Sequence, residues 1–432
     1  MKQTITILVA FIVTNVFSQS SSKIFTTDID NFWIAYDSIQ KTNDYPKKIN
    51  LINRLYIDKG TDGLKTFMKV RNYTDTLWVN LISEYPKFWN SVKPNTLTAK
   101  TKIKDFENAI SNLKKLYPEL KEAEMYFTIG GLRSGGTVKG NMVLVGAEIA
   151  TGSPATDVSE FKDNWLKNVF AEQSLDNIVS LNIHEYIHTQ QTGDRNRVLS
   201  QCIKEGACDF IAELTIQQPL QRKYLTYGRA NAEKTKALFK EEMFSSNFSN
   251  WLYNGTKKGE SADLGYYVGY EICKSYYNLA KDKKQAIKDI IELNYDDDKA
   301  VESFLSKSKF FKEKINKAKL IKEYNEKLPY ITGMIPFKND SKTVDANLKE
   351  LRITFSKEME PGNYSMNYSE KGKDYFPITK VIGFENNNQT FVMTVNLQPN
   401  KEYEFVITNR SFKSKDGYPL KEKEYLVKFK TK

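Results

Sequence analysis

The spacing of apolar and polar residues changes near residue 330 and divides the chain into two regions. Between residues 25 and 330, apolar positions recur with the period of a helix and prolines are few. Large aromatic residues that suit a core follow this pattern: Trp33, Trp78, Phe88, Trp89 and Trp165. The pattern predicts a mainly α domain of the α+β class, long enough to bury one large core.

From residue 335 to residue 432, apolar and polar residues alternate instead, with the period of a half-buried strand. Segments 351–355, 390–395, 403–407 and 425–429 show this alternation. Turn-forming residues separate them, as at Asp416-Gly417. The sequence therefore predicts an all-β sandwich at the C-terminal end of the chain.

The first residues have the pattern of an export signal. An apolar stretch from Ile5 to Phe17 follows Lys2, and the small residue Ser18 precedes Gln19. Because the stretch is too short to span a bilayer, it predicts a signal peptide at residues 1–18. The mature chain is then exported to the periplasm, the cell surface or the medium. With no cysteine near this site, the chain is not expected to be a lipoprotein.

The predicted organisation is therefore a signal peptide at residues 1–18, a first domain at residues 25–330 and a β-sandwich at residues 335–432. Pro329, Gly333 and Pro336 mark the boundary between the two domains, since prolines and glycines interrupt regular elements. The only cysteines are Cys202, Cys208 and Cys273, and this odd, small number implies no disulfide framework.

The formal charge of +11 is mild for 432 residues, with 64 basic and 53 acidic side chains. The lysines are dispersed along the chain, so a solvated basic surface is favoured and nucleic acid is not expected as a partner. Association with an anionic envelope surface is compatible with this charge. The oligomeric state is not predicted by the sequence.

The only two histidines, His184 and His188, are four residues apart with Glu185 between them. On a helix, residues at this spacing share a face, so both imidazoles can reach one metal ion. Zn²⁺ lowers the pKa of a bound water, and the carboxylate of Glu185 is placed to accept the proton of that water. The pattern predicts a zinc site with Glu185 as a catalytic base.

A third ligand must be a carboxylate or a thiolate, because no histidine remains. Glu205 and Asp209 are four residues apart in a predicted helix over about 198–216, so they share a face. We expect Glu205 to bind the metal and Asp209 to accept the outer N–H of a ligating histidine.

Simpler explanations exist for each of these residues. The histidine pair can be an accident on a helix, and Glu205 can be a solvated carboxylate. Cys202 and Cys208 flank Glu205 at a spacing of six, which is not a compact zinc-knuckle spacing. Small buried apolar roles are therefore favoured for both cysteines over ligand roles.

His-Glu-x-x-His followed by Glu-x-x-x-Asp resembles the gluzincin zinc metallopeptidases, and more narrowly the secreted His-Glu-Tyr-x-His proteases predicted in Bacteroidetes-type bacteria. The resemblance covers about residues 120–280. It implies a zincin-like fold for residues 25–330, a Zn²⁺ cofactor, a peptide or protein substrate and the activity of an exported hydrolase of peptide bonds. The alternative function is a cell-surface adhesion or glycan-binding protein with a non-catalytic zincin-like scaffold.

The same resemblance implies two further sets of site residues. Segments 126–129 and 142–145 are predicted to form a hairpin, and gluzincins pair a strand at this place with an extended substrate. Residues Val145, Gly146 and Glu148 are therefore expected to bind substrate. Gluzincins also stabilise the oxyanion with a tyrosine or a histidine. Among Tyr266, Tyr267 and Tyr270, we expect Tyr267 to take this catalytic role.

The C-terminal segment resembles bacterial Ig-like domains of surface-layer and exported proteins. The resemblance rests on Ile353-Thr-Phe-Ser-Lys-Glu-Met359, on Leu397-x-Pro399 with Tyr403, and on Asp416-Gly417. It implies a β-sandwich at residues 335–432 that serves in spacing or attachment.

Overall fold

The structure, a computed structural model, describes residues 23–162, 164–193, 197–255 and 261–432. The predicted signal peptide at residues 1–18 lies outside the described residues. Among the described residues, no helix combines the length and the apolar character that crossing a bilayer requires.

Six helices form the first part of the helical region: α1 (Thr27–Ile39), α2 (Tyr45–Ile52), α3 (Asp62–Arg71), α4 (Asp75–Glu84), α5 (Pro86–Thr101) and α6 (Ile103–Leu116). Polar side chains start three of them, since Asp44, Thr61 and Thr74 each accept a backbone N–H at an N-terminus. The predicted core anchors Trp33, Trp78, Phe88 and Trp89 are buried, whereas Trp165 is 38% exposed.

A small sheet lies beside these helices. It contains β1 (Ile24–Phe25), β2 (Glu124–Thr128), β3 (Gly136–Lys139) and β4 (Met142–Gly146), in the order β1-β2-β4-β3. Strands β2 and β4 are parallel, so the predicted hairpin between 126–129 and 142–145 is wrong. The glycine-rich segment, predicted as a loop, supplies β3, and β3 pairs antiparallel with β4. The edge strands of this sheet are β1 and β3, and β4 lies between β2 and β3.

In the part of this region that the structure describes, ten further helices follow: α7 (Ala147–Ala150), α8 (Asn164–Glu172), α9 (Ile178–His188), α10 (Val198–Ile216), α11 (Lys223–Ala230), α12 (Ala232–Glu242), α13 (Leu264–Leu279), α14 (Lys283–Ile291), α15 (Asp298–Ser308) and α16 (Lys317–Lys327). Helix α10 spans the residues that the sequence predicts. It lies at the centre of the region, with 14 of its 19 residues buried.

Helices α10 and α13 touch through glycines. A Cβ on Gly206 would lie 2.0 Å from the backbone nitrogen of Tyr270, and a Cβ on Gly269 would lie 1.7 Å from the carbonyl oxygen of Cys202. Only residues without a side chain allow the two backbones to approach so closely. This contact fixes the position of α10, which carries Glu205 and Asp209.

The C-terminal region is all β. Its strands are β5 (Ile331–Ile335), β6 (Glu350–Phe355), β7 (Met366–Tyr368), β8 (Ile378–Glu385), β9 (Thr390–Val395), β10 (Glu402–Thr408) and β11 (Glu424–Lys430). They form one sheet of order β5-β6-β9-β8 and a second of order β11-β10-β7. Residues Leu351, Ile353 and Phe355 alternate inward along β6, as the sequence pattern predicts.

Each region has its own hydrophobic core. One cluster of buried apolar side chains runs from Ile29 to Leu320, and a second runs from Met334 to Phe429. The chain is therefore multidomain, with a helical N-terminal region followed by an all-β C-terminal region.

Candidate metal centre

Helices α9 and α10 bring four of the predicted site residues together. His184 and His188 lie one turn apart on α9, and Glu205 and Asp209 lie one turn apart on the facing side of α10. The side chains of His184, Glu205 and Asp209 are buried. The spacing of four residues on each helix thus places all four side chains at one contact between two helices.

Three potential ligand atoms form a nearly regular triangle. The Nε2 atoms of His184 and His188 are 3.1 Å apart, and Oε2 of Glu205 is 3.3 Å from each of them. For metal–ligand distances of about 2.0–2.1 Å, neighbouring ligands of a tetrahedral Zn²⁺ ion lie about 3.3–3.4 Å apart. The triangle therefore has the size of three corners of such a tetrahedron, which leaves the fourth corner for a water or a substrate.

A second layer of polar groups orients both imidazoles. Nδ1–H of His184 donates to Oδ1 of Asp209 at 2.8 Å, and the hydroxyl of Tyr224 donates to the other oxygen of Asp209 at 2.6 Å. Nδ1–H of His188 donates to Oε1 of Gln191 at 2.8 Å. Because the acceptors are a carboxylate and an amide oxygen, the protons belong on Nδ1 and each Nε2 lone pair points into the triangle.

Charges within the cluster shift the pKa values of its members. Burial lowers the pKa of His184, but the carboxylates of Asp209 and Glu205 outweigh burial and raise it to about 10. Burial raises the pKa of Glu205, but the two imidazoles outweigh this effect and hold it well below its usual range. The buried carboxylates thus stabilise positive charge at the centre of the triangle, which a divalent cation supplies.

Cys208 lies close to this cluster but behind His188. Its Sγ atom is 3.3 Å from Nδ1 of His188 and 3.4 Å from Oε1 of Gln191. Ligand atoms of His184, His188 and Cys208 lie within 4.8 Å of one another, so this trio is also a geometric candidate. An imidazole cannot direct both of its nitrogens at one ion, however, and burial raises the pKa of the Cys208 thiol. Glu205 is therefore the better third ligand.

Glu185 on α9 packs against Gly136 of the edge strand β3. A Cβ built on Gly136 would meet the carboxylate oxygen Oε1 of Glu185 at 3.2 Å. A larger residue at position 136 would thus displace this side chain. The absence of a side chain at Gly136 therefore leaves room for the carboxylate of Glu185 beside β3.

The structure places Tyr267 away from the triangle, in contrast to the predicted catalytic role. The ring of Tyr267 is buried on α13 against Gly228 of α11, where a Cβ would lie 2.2 Å from the ring. Its neighbour Tyr266 faces the cluster instead, with its ring 6.1 Å from that of His184. One residue along a helix turns a side chain by about 100°, which accounts for the difference.

Two tyrosines that the sequence did not single out contact the cluster. The hydroxyl of Tyr253 donates to Oε1 of Glu205 at 3.0 Å, although 64% of Tyr253 is exposed. Tyr224 contacts Asp209, as described above. Both tyrosines approach from segments outside α9 and α10, and no local spacing links them to the two histidines.

The residues predicted to bind substrate contact other residues of the same chain. Val145 and Gly146 lie on β4, an interior strand with no free edge for an added strand. The carboxylate of Glu148 is fully buried and accepts the backbone N–H groups of Gly130 at 2.7 Å and Leu132 at 3.2 Å. Glu148 therefore fixes the glycine-rich segment ahead of β3.

The fold and the site together define a protein with a helical region that encloses a His/Glu cluster and with an all-β C-terminal region. A family model described as gliding motility protein GldB matches residues 17–312, so the chain belongs to this family. A model described as bacterial Ig-like domain matches residues 325–431. The predicted Ig-like domain is thereby confirmed.

Comparisons with individual proteins add little. No curated protein matches the chain. A crystal structure of the S-layer protein rSbsC is similar at 13% identity, over 66% of this chain and 39% of that chain, with a TM-score of 0.18. The chain thus spans well under half of that protein, and a score this low carries no argument about the fold.

The resemblance to gluzincin zinc metallopeptidases is wrong as an identification. The helical region matches a gliding motility family, and no metallopeptidase family matches it. The predicted function as an exported peptidase is wrong for the same reason. The resemblance rested on a few residues whose spacing suits any two-helix metal site, and such a pattern does not define a family.

The family also bears on the location of the protein. A lipoprotein family of the cell envelope agrees with the predicted export of the chain. It is at odds with the expectation that the chain is not a lipoprotein. That expectation rested on the lack of a cysteine near residue 18, within a segment outside the described residues.

Proposed function

We propose that this protein serves gliding motility at the cell envelope and that its helical domain binds one Zn²⁺ ion through His184, His188 and Glu205. The triangle of ligand atoms, with sides of 3.1, 3.3 and 3.3 Å, carries the metal proposal. The outer hydrogen bonds of both imidazoles support it, because ligating histidines are usually held in this way. Membership in the gliding motility family supports the cellular role.

We propose further that the bound ion keeps one coordination position free of protein ligands. Three protein ligands leave one position for a water, and Zn²⁺ lowers the pKa of such a water towards neutrality. Glu185 follows a ligand directly, and its carboxylate lies close to Gly136 of β3.

Metal content tests this proposal. Wild-type protein purified with zinc present should hold about one Zn²⁺ per chain, and His188→Ala and Glu205→Ala should hold none. Cys208→Ser is the matched control, because the thiol lies behind His188 and should leave the metal in place. Glu185→Gln should also keep the metal, because Glu185 is not among the proposed ligands.

Two results would contradict the proposal. The first is a wild-type protein without metal under zinc-replete conditions. The second is loss of zinc in Cys208→Ser but not in Glu205→Ala, which would transfer the third ligand to the thiol. For the cellular role, cells that carry only the His188→Ala chain should lose gliding, while cells with Cys208→Ser should glide normally.

A further inference from the structure

A groove separates the helical domain from the Ig-like domain. Its volume is about 830 Å³, and both domains line it. The helical side contributes the apolar side chains of Phe244, Leu320, Ile321 and Leu328, beside polar residues such as Ser245 and Asn325. The Ig-like side is cationic, with Arg410, Lys413, Lys421 and Lys423. The groove thus combines apolar side chains of the helical domain, here called the floor, with cations of the Ig-like domain, here called the rim.

The contacts between the domains give the groove a defined shape. Nδ2 of Asn247 donates to the carbonyl of Gly417 at 3.1 Å, and the backbone nitrogen of Lys421 donates to the carbonyl of Pro329 at 2.8 Å. The rings of Tyr324 and Tyr418 pack at 5.7 Å. A groove held open by such contacts needs little reorganisation to receive a ligand.

The cations of the rim have no acidic partners of their own. Among the described residues, the side-chain nitrogens of Arg410, Lys413, Lys421 and Lys423 form no ion pair. The one acidic residue that lines the groove, Glu241, is paired with Lys327 at 2.5 Å. Four unpaired cations on one wall leave a positive potential, which favours a negatively charged ligand.

The positive wall extends beyond the groove. Arg410 and Lys423 also line a neighbouring hollow, together with Asn367, Thr408 and Glu424. A small free anion would occupy only the groove or only the neighbouring hollow, whereas an extended chain can contact both.

From these features, we infer that the groove binds an acidic peptide segment of a partner protein, with apolar side chains on its floor and carboxylates at its rim. Apolar contacts to Phe244 and Leu320 would provide affinity, and the rim would provide selectivity for acidic residues. The side-chain amides of Asn325 and Asn409 at the groove are suited to hydrogen bonds with a peptide backbone. This inference is independent of the zinc centre.

Binding of defined peptides tests the inference on the full chain. The probe is a labelled dodecapeptide in which Glu and Leu alternate, measured by fluorescence anisotropy at about 0.15 M salt. Arg410→Gln with Lys423→Gln should weaken binding about tenfold or more, because both exposed cations are lost. Lys47→Gln with Lys69→Gln is the matched control, since it removes two exposed lysines of the helical domain and should change the affinity less than about twofold.

Changes in the probe separate the two parts of the groove. Replacing Glu by Gln, or Leu by Ser, should each weaken binding. Equal affinity of the Glu and Gln peptides, or equal loss in the groove and control variants, would overturn the inference. It would also fall if anionic phospholipid vesicles, heparin or a single-stranded oligonucleotide bound more tightly than the peptide and lost binding in the groove variant.

Discussion

Contacts were predicted from the sequence for four residues of the cluster. All four lie on helices, in pairs spaced by four residues. The spacing of His184 and His188, and that of Glu205 and Asp209, puts each pair on one helix face whatever the rest of the fold. Gln191, Tyr224 and Tyr253 complete the surroundings from loops or from other helices. Their contacts depend on how segments meet in space, so spacing in the sequence could not reveal them.

The position of Tyr267 shows that residue type alone does not establish a catalytic role. Three tyrosines lie close together on α13, and only the helix rotation decides which of them faces the cluster. The sequence does not specify that rotation, because apolar and aromatic residues surround α13 on most sides. Glu148 is similar: a carboxylate ahead of a metal helix suggested substrate binding, whereas its partners are backbone N–H groups.

Glu148 leads to a prediction about pH. Burial raises the pKa of its carboxyl from 4.5 to about 7. On raising the pH from about 4.5 to about 7, the unfolded chain therefore releases this proton before the folded chain does. The free energy of unfolding should fall by about 3 kcal/mol over this window through Glu148 alone and level off above it.

The variant Glu148→Gln removes this titration. Its free energy of unfolding, measured by urea titration with tryptophan fluorescence, should depend less on pH between about pH 5 and pH 7 than that of the wild type. All five tryptophans lie before residue 252, so the signal reports the helical domain. Parallel pH curves for the two proteins would show that Glu148 is not the group responsible.

At the scale of elements, the sequence predicted helices better than strand pairing. Helix α10 follows from a continuous pattern of apolar residues with local spacing. Strand β3 does not, because glycines at its start are typical of a loop and its partner β4 supplies the pairing. The parallel pairing of β2 with β4 depends on the sheet as a whole, so the two strands alone suggested a hairpin.

The contact of α10 with α13 leads to a second prediction. Gly269→Ala adds a Cβ where the Cys202 carbonyl lies only 1.7 Å away, so the two helices must separate. We expect the helical domain to lose about 3 kcal/mol or more of its free energy of unfolding. Because α10 carries Glu205, zinc content should fall as well.

Gly255→Ala is the matched control for this variant. A Cβ on Gly255 meets no atom within 4 Å, so stability and zinc content should stay close to those of the wild type. Urea unfolding by tryptophan fluorescence and metal analysis measure both quantities. If Gly269→Ala were as stable as Gly255→Ala, the close approach of the two helices would not be a requirement of the fold.

At the scale of the whole molecule, the sequence predicted the two regions because their periodicities differ so clearly. It did not predict the groove between them. The lysines look dispersed along the chain, and only the folding of the β10–β11 end against α12 and α16 gathers four cations on one wall. The short histidine motif did not identify the family either, because the match to the family extends over most of the helical region.

Two separate cores predict two unfolding transitions. Calorimetry should resolve one for each domain, and a chelator should lower the midpoint of the helical domain alone, because Zn²⁺ binds only its folded form. Tryptophan fluorescence identifies which transition is which. His188→Ala should show the lowered midpoint without chelator and no further change with it. A chelator effect on the Ig-like transition would contradict the assignment of the metal to the helical domain.

The helical domain supplies the apolar side chains of the groove, and the Ig-like domain supplies its cations. This arrangement has a thermodynamic consequence. A ligand that contacts both walls is lost when either domain unfolds, so its binding free energy is shared by both. At saturating ligand, the two domains would then melt as a single cooperative unit. A ligand bound in the groove would therefore couple the two domains mechanically. Force applied to one domain would then be carried to the other.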